Sequence, residues 1–205
     1  MIKAVLFDFG GVLSPGGKLG SVRRMLARTL GIDESEVQRM DEPHRLLMTG
    51  QMDDQAFLRE LSARHPGSKQ PSIEALLQNT DVIARSDVVY DLAEMLRSQG
   101  IRTGILSNMF SFGAQVMKRQ GLFEGFDPVL LSYETHLMKP DPAFYQLALE
   151  RLGLPADQVL FVDDRTTMLA PATKLGMQTL LAISPEQIVT DIQTVFAREN
   201  NLRLV

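Results

Sequence analysis

Five short apolar runs dominate this chain, and none of them alternates cleanly between apolar and polar residues. They are Ile2–Phe9, Arg102–Ser107, Pro128–Ser132, Gln158–Asp163 and Gln178–Ile183. A strand with one wet face alternates; a run that is apolar throughout must be covered on both faces, as in a parallel sheet. Helical patterns separate the later runs. Asp87–Gln99 repeats apolar residues at three-to-four spacing and stops at Gly100. Asp141–Leu152 opens on Asp-Pro and stops at Gly153, and Ser184–Glu199 opens on Ser-Pro-Glu. These are the start and stop signals of helices: a capping side chain, proline in the first turn and glycine past the end. Strand, helix, strand in succession predicts right-handed crossovers and a doubly wound, parallel-sheet α/β core.

One segment breaks the alternation. Between the first strand and Asp87 there is no strand pattern, and the chain reads as helices over Lys18–Leu30, Ser35–Met40, Asp53–Arg64 and Ser72–Asn79. A crossover needs a single helix of about a dozen residues, so this stretch is excess. The expected organisation is a core of residues 1–13 and 86–205 with an inserted α-helical cap of residues 14–85. Inserted after the first strand, the cap would stand over the crevice where such sheets bind ligands. Ser14-Pro15-Gly16-Gly17-Lys18 superficially suggests a phosphate loop, but Leu19 stands where that motif needs Ser or Thr, so the stretch reads as the hinge into the cap. Met40, Met48 and Met52 read as core packing of the cap, with an adaptable apolar pocket as the alternative.

Composition narrows the function classes. The 205-residue chain carries a net charge of −4 without a basic block, so no nucleic-acid partner is expected. It has no cysteine, which excludes disulfides and thiolate metal sites and fits a cytoplasmic location. The N-terminus has no signal-peptide layout, and no apolar run approaches the roughly 20 residues of a membrane span.

Polar residues close the predicted strands. Asp8 ends the first, Ser107-Asn108 the second and Asp163-Asp164 the fourth, and Lys139 follows soon after the third. Singly, each has an ordinary reading as a turn, helix cap or solvated side chain. Together they would gather at one edge of a parallel sheet. Three carboxylates meeting there repel one another, and a hard divalent cation with oxygen ligands, helped by Lys139, balances them. Mg²⁺, carboxylates, a lysine and a hydroxyl-amide pair make a phosphate site with a built-in nucleophile.

The chain resembles the haloacid dehalogenase-like (HAD) hydrolase superfamily, in its branch with a helical cap after the first motif. FDFGGVL, GILSN, MKPDP and FVDD followed by KLGM resemble its four motifs, in order. The resemblance covers essentially the whole chain and implies a Rossmann-like core. It also implies roles. Asp8 would be the nucleophile, forming an aspartyl-phosphate. Ser107 would bind the phosphoryl oxygens with the backbone of Asn108. Lys139 would neutralise the phosphate and orient Asp8. Asp164 would hold Mg²⁺ together with Asp8 and the carbonyl of residue 10, with Asp163 as a further ligand or a support.

Two positions depart from the family's pattern. The usual second aspartate of the first motif, which protonates the leaving group and activates water, is Gly10. The family's metal contact at this position is a backbone carbonyl, which glycine retains. Where an asparagine commonly supports the metal, this chain has Met168, whose soft sulfur is no ligand for Mg²⁺. His44, His136, Tyr133 and Asp54 are candidates for a borrowed proton donor, each with a structural or surface reading beside it. The expected function is a Mg²⁺-dependent phosphatase acting on a small phosphorylated metabolite. A catalytically weak or inactive phosphate-binding protein is the alternative, and a 2-haloacid dehalogenase ranks third. Substrate identity and the choice between monomer and homodimer stay open.

Overall fold

The computed structural model describes residues 1–14, 27–28, 31–33, 35, 41–65 and 83–199. Its centre is a five-stranded sheet of β1 (Ala4–Phe7), β2 (Arg102–Ser107), β3 (Val129–Leu131), β4 (Val159–Asp163) and β5 (Gln178–Leu181), in the order β3-β2-β1-β4-β5. Every pairing is parallel. The register sets Phe7 beside Ile105 on one side and Val162 on the other. Asp8 and Asp163 are thereby level with one another, and the backbone N–H of Asp8 donates to the Val162 carbonyl at 2.8 Å.

The two faces of β1 explain why its sequence does not alternate. Val5 and Phe7 face one apolar cluster, which includes Val89, Leu92 and Leu96 of α3 (Asp87–Ser98). Ala4 and Leu6 face another, built on α6 (Pro142–Leu152) and α7 (Thr166–Lys174) through Phe144, Tyr145, Ala148, Leu169 and Ala172. All four strand residues have no exposed surface. Successive side chains point to opposite faces, and both faces are dry. The described elements after β2 also include α4 (Ser111–Arg119), the single turn α5 (Ser132–Thr135), a 3-10 turn over Ala156–Gln158 and α8 (Pro185–Glu199).

The predicted strands and helices of the core are present, trimmed at their ends. Ile2 and Phe9 are buried but stand outside the hydrogen-bonded β1 ladder. Asp141 caps α6 by accepting from the Ala143 N–H, and Gly153 ends it in the left-handed conformation. Three helices stand where the sequence pattern placed none, the single turn α5 among them, which takes Ser132 out of the predicted third strand. One is α1, which runs over Asp41–Met48; the predicted Ser35–Met40 before it lies outside the described residues except for Ser35, which is helical. Pro43 suggests a break there, but it sits in the first turn, where an amide has no partner within the helix to lose. Helix α4 contains Gly113 and opens without a side-chain cap on Phe110, so its start carries little sequence signal. Predicted Asp53–Arg64 is α2 (Asp54–Ala63), with Asp53 accepting from the Ala56 N–H as its cap. Predicted Ser72–Asn79 lies outside the described residues, as does most of Lys18–Leu30, where Ala27 and Arg28 are helical.

The described residues between β1 and α3, read above as an insert, meet the rest of the fold at several points. At its root the Ser14 hydroxyl donates to the Ala84 carbonyl at 2.6 Å, and the Ser86 N–H donates to the Leu13 carbonyl at 2.8 Å. Further out, Leu47 and Met48 of α1 and Phe57, Leu58 and Leu61 of α2 pack with Phe110 and Phe112, which follow β2. Met52 and Met138 join the edge of this cluster, so Met48 and Met52 are packing residues, while Met40 lies outside the described residues. Beside it the buried Ser132 hydroxyl donates to the Met48 carbonyl at 2.6 Å and accepts from the Met109 N–H at 2.9 Å. No helix among the described residues is long and apolar enough to cross a membrane.

Ser132 has no exposed surface, so its removal leaves a buried N–H and a buried carbonyl unpaired. Ser132→Ala is expected to cost about 1–3 kcal/mol of unfolding free energy, read from urea denaturation.

Candidate active site

Asp8 lies just past the end of β1, and three donors converge on one of its oxygens. The Phe9 N–H reaches Oδ1 at 2.7 Å, the Ser107 hydroxyl at 2.8 Å and the Lys139 ammonium at 3.1 Å. Lys139 Nζ also donates to Asp163 Oδ2 at 2.6 Å. The lysine is 2% exposed and Asp163 is not exposed at all. The ammonium stands 5.1 Å from the centre of the Phe161 ring. The other oxygen of Asp163 accepts from the Arg165 N–H at 2.9 Å, which ties the carboxylate to the loop before α7.

Asp8, Asp163 and Asp164 offer carboxylate oxygens within 4.8 Å of one another. One ammonium does not balance three carboxylates at this range. Burial pushes the Asp163 carboxyl up to about 6; the Lys139 charge opposes the rise and the Asp8 charge adds to it. The donor set is hard oxygen, suited to a cation such as Mg²⁺ and unsuited to a soft metal. The residues present therefore fit the divalent ion that the sequence pattern implied.

Gly10 and Gly11 form the turn after β1. The Gly11 N–H donates to the Ser14 carbonyl, and the Ser14 N–H donates to the Phe9 carbonyl, each at 2.9 Å. Gly11 has φ +84°, and a Cβ on it would lie 2.5 Å from Asp164 Oδ2. Its missing side chain is the space that Asp164 occupies. The family pattern draws attention to Gly10 and not to Gly11, for which the doubled glycine is the available signal.

Asn108 follows Ser107 but does not cap a helix, since the cap position of α4 is Phe110. Its side chain turns to Lys139, donating to the lysine's carbonyl at 2.7 Å and accepting from its N–H at 2.7 Å. Met168 is buried in the first turn of α7, and its carbonyl accepts from the Tyr145 hydroxyl at 2.7 Å. Burial, with the charges of Asp163 and Asp8, holds that phenol well above its ordinary range.

Three of the four candidates for a borrowed proton donor, His136, Tyr133 and Asp54, fall where residues 41–65 meet the rest of the fold. His136 Nδ1 is 2.7 Å from the Thr49 carbonyl, and the Tyr133 hydroxyl donates to Glu134 at 2.6 Å. Asp54 lies against Ser111 and the Phe112 N–H at the start of α4, with its carboxyl raised by burial. His44 is half-buried on α1.

A family model described as haloacid dehalogenase-like hydrolase matches residues 2–176. Among named relatives, acyl-CoA dehydrogenase family member 10 of Mus musculus is 26% identical over 202 residues, covering 94% of this chain and 19% of that protein. Glyceraldehyde 3-phosphate phosphatase of Methanopyrus kandleri is 26% identical, covering 88% of this chain and 83% of that protein. The chain thus spans about a fifth of the mouse relative and most of the archaeal one. Of solved structures, a predicted HAD-like family hydrolase from Porphyromonas gingivalis aligns with a TM-score of 0.75 at 25% identity, over 97% of this chain and 99% of that one. A HAD family enzyme from Bacteroides thetaiotaomicron, solved in complex with magnesium and inorganic phosphate, shares the fold with a TM-score of 0.67 at 20% identity, over 88% of this chain and 94% of that one.

The raised Asp163 carboxyl makes the stability of the fold depend on pH. Its ordinary value is 3.8 and its folded value about 6. The folded state therefore binds the proton more tightly, so this contribution to stability is full at low pH and is lost as pH rises through about 6. In metal-free protein, Asp163→Asn is expected to gain stability relative to the native chain between about pH 4 and 7, in urea unfolding followed across that range.

Proposed function

The chain belongs to the haloacid dehalogenase-like hydrolases, and on that premise we propose that it is a Mg²⁺-dependent phosphatase acting on a small phosphorylated metabolite through an aspartyl-phosphate on Asp8. The observation that carries this reading is the division of labour between the two Asp8 oxygens. Among the described residues, the donors to Asp8, namely Phe9, Ser107 and Lys139, all reach Oδ1. Oδ2 is left as the attacking atom, aimed by the same bonds that hold its twin.

The chemistry then follows from these residues. Asp8 Oδ2 forms a bond to phosphorus as the bond to the leaving oxygen breaks. The Lys139 ammonium and the Ser107 hydroxyl stand beside Asp8, where the phosphoryl charge accumulates, and the backbone of Asn108 supplies a further donor. Asp8, Asp163, Asp164 and the Gly10 carbonyl would hold Mg²⁺, which supplies electrostatic stabilisation of the phosphoryl oxygens when bound. Water attack on the aspartyl-phosphate releases inorganic phosphate and regenerates Asp8. Relatives named glyceraldehyde 3-phosphate phosphatase support a small phosphorylated substrate. Residues 14–85 are read as a cap; the packing of α1 and α2 on Phe110, Phe112 and Met138, beside the second and third motifs, supports that reading.

Gly10 favours substrates whose leaving group needs little protonation, such as aryl, acyl or glycosyl phosphates. It also sustains a second reading, a phosphate-binding protein with little turnover. The paired Asp163 and Asp164 argue against a metal-independent dehalogenase, whose signature would be halide release in the presence of chelator.

A panel of an aryl phosphate and several sugar phosphates, assayed with Mg²⁺ and with chelator, tests the reading. Hydrolysis is expected with Mg²⁺ alone, and Asp8→Asn is expected to abolish it; phosphate-analogue binding without turnover would support the second reading instead. Gly10→Asp is expected to raise turnover on alkyl phosphates by about 10²-fold and on aryl phosphates by less, because only the former need the restored proton donor.

A further inference from the structure

Resting on the phosphatase reading above, we propose that the side chain of Asn108 is a positioning residue that acts through Lys139. Its amide closes two hydrogen bonds on one backbone unit, donating to the Lys139 carbonyl and accepting from the Lys139 N–H, both at 2.7 Å. The pair resembles two rungs of a strand ladder, supplied by a side chain.

Lys139 needs such a hold. It sits in the connection between α5 and α6, outside every strand, and so has no ladder of its own. Its long flexible stem must nevertheless deliver the ammonium to 3.1 Å from Asp8 and 2.6 Å from Asp163, in a setting where the lysine is 2% exposed. A buried charge that misses its partners is severely penalised, so the root of the side chain must be fixed. Asn108 provides that root. It is also covalently next to Ser107, whose hydroxyl is on Asp8 Oδ1 at 2.8 Å. One dipeptide therefore registers the nucleophile and the lysine against each other.

Only a primary amide satisfies both groups. Aspartate keeps the acceptor for the Lys139 N–H but sets a carboxylate oxygen against the Lys139 carbonyl, and leucine has the shape without either bond. The alternative duty of an Asn in this place, capping α4, belongs to Phe110.

The test is a double-mutant cycle on Mg²⁺-loaded protein, with Asn108→Leu and Asn108→Asp each made alone and with Lys139→Met. Tungstate, a phosphate analogue, is titrated by calorimetry, and kcat and KM are measured on an aryl phosphate. Asn108→Leu is expected to weaken tungstate binding about tenfold in the native background and hardly at all beside Lys139→Met, the coupling expected of partners in one network. Asn108→Asp should fall between. Equal losses in both backgrounds would mean that Asn108 acts on the oxyanion itself, and no loss in the native background would mean that the two bonds are idle; either overturns the proposal. If the native protein neither binds tungstate nor cleaves the ester, the phosphatase reading fails, and the crystal structure of Asn108→Leu decides positioning alone. Nζ displaced from Asp8 and Asp163 supports the proposal, and Nζ unmoved overturns it. Should the leucine variant not fold, the aspartate variant is read by the same criteria.

Discussion

A single buried ammonium, that of Lys139, holds the centre of this protein together. It joins Asp8 to Asp163 with almost no access to water, and removing it would strand two carboxylates at the buried edge of a parallel sheet. Desolvating such a pair is expensive, and the surroundings answer that expense with further bonds. Ser107 and the Phe9 N–H complete the shell of Asp8, the Arg165 N–H completes that of Asp163, and the Phe161 ring lies beneath the ammonium. The balance still leaves excess negative charge, because Asp164 joins the group. Burial drives the rise of the Asp163 carboxyl and the Asp8 charge adds to it; the surplus of carboxylates over ammonium is the physical reason these residues suit a hard cation.

The loop after β1 and the insert are arranged around the same centre. Gly11 surrenders its side-chain space to Asp164, so the fourth motif approaches the first across a gap that any larger residue would fill. The insert is anchored at Ser14 and Ser86, beside this loop, and packs on Phe110 and Phe112, which follow Ser107-Asn108. Gly50, at φ +65° beside the Tyr133 carbonyl, gives this contact its close approach.

Much of the fold was readable because burial on both faces leaves an unmistakable mark. Val5, Phe7, Ala4 and Leu6 are apolar in succession since each face of β1 has its own cluster to join. Capping chemistry at Asp141, Gly153 and Asp53 marked helix ends for equally local reasons. What escaped were α1, whose early Pro43 mimics a break, α4, which starts without a capping side chain, and the single turn α5. Asn108 was legible as a residue of the second motif, but its hold on Lys139 was not, because nothing near Asn108 in sequence encodes that pairing.

The sequence alone determined which polar groups gather at the sheet edge. Asp8, Ser107, Lys139, Asp163 and Asp164 stand at or near strand ends, and parallel strands deliver their ends to one edge whatever the details of packing. Tertiary structure decided how those groups are aimed. That all three donors choose Asp8 Oδ1 and leave Oδ2, that one lysine spans two carboxylates, and that Asp164 fits over Gly11 depend on sheet register and side-chain direction between segments distant in the chain. Those are non-local quantities, and no local pattern of residue types contains them.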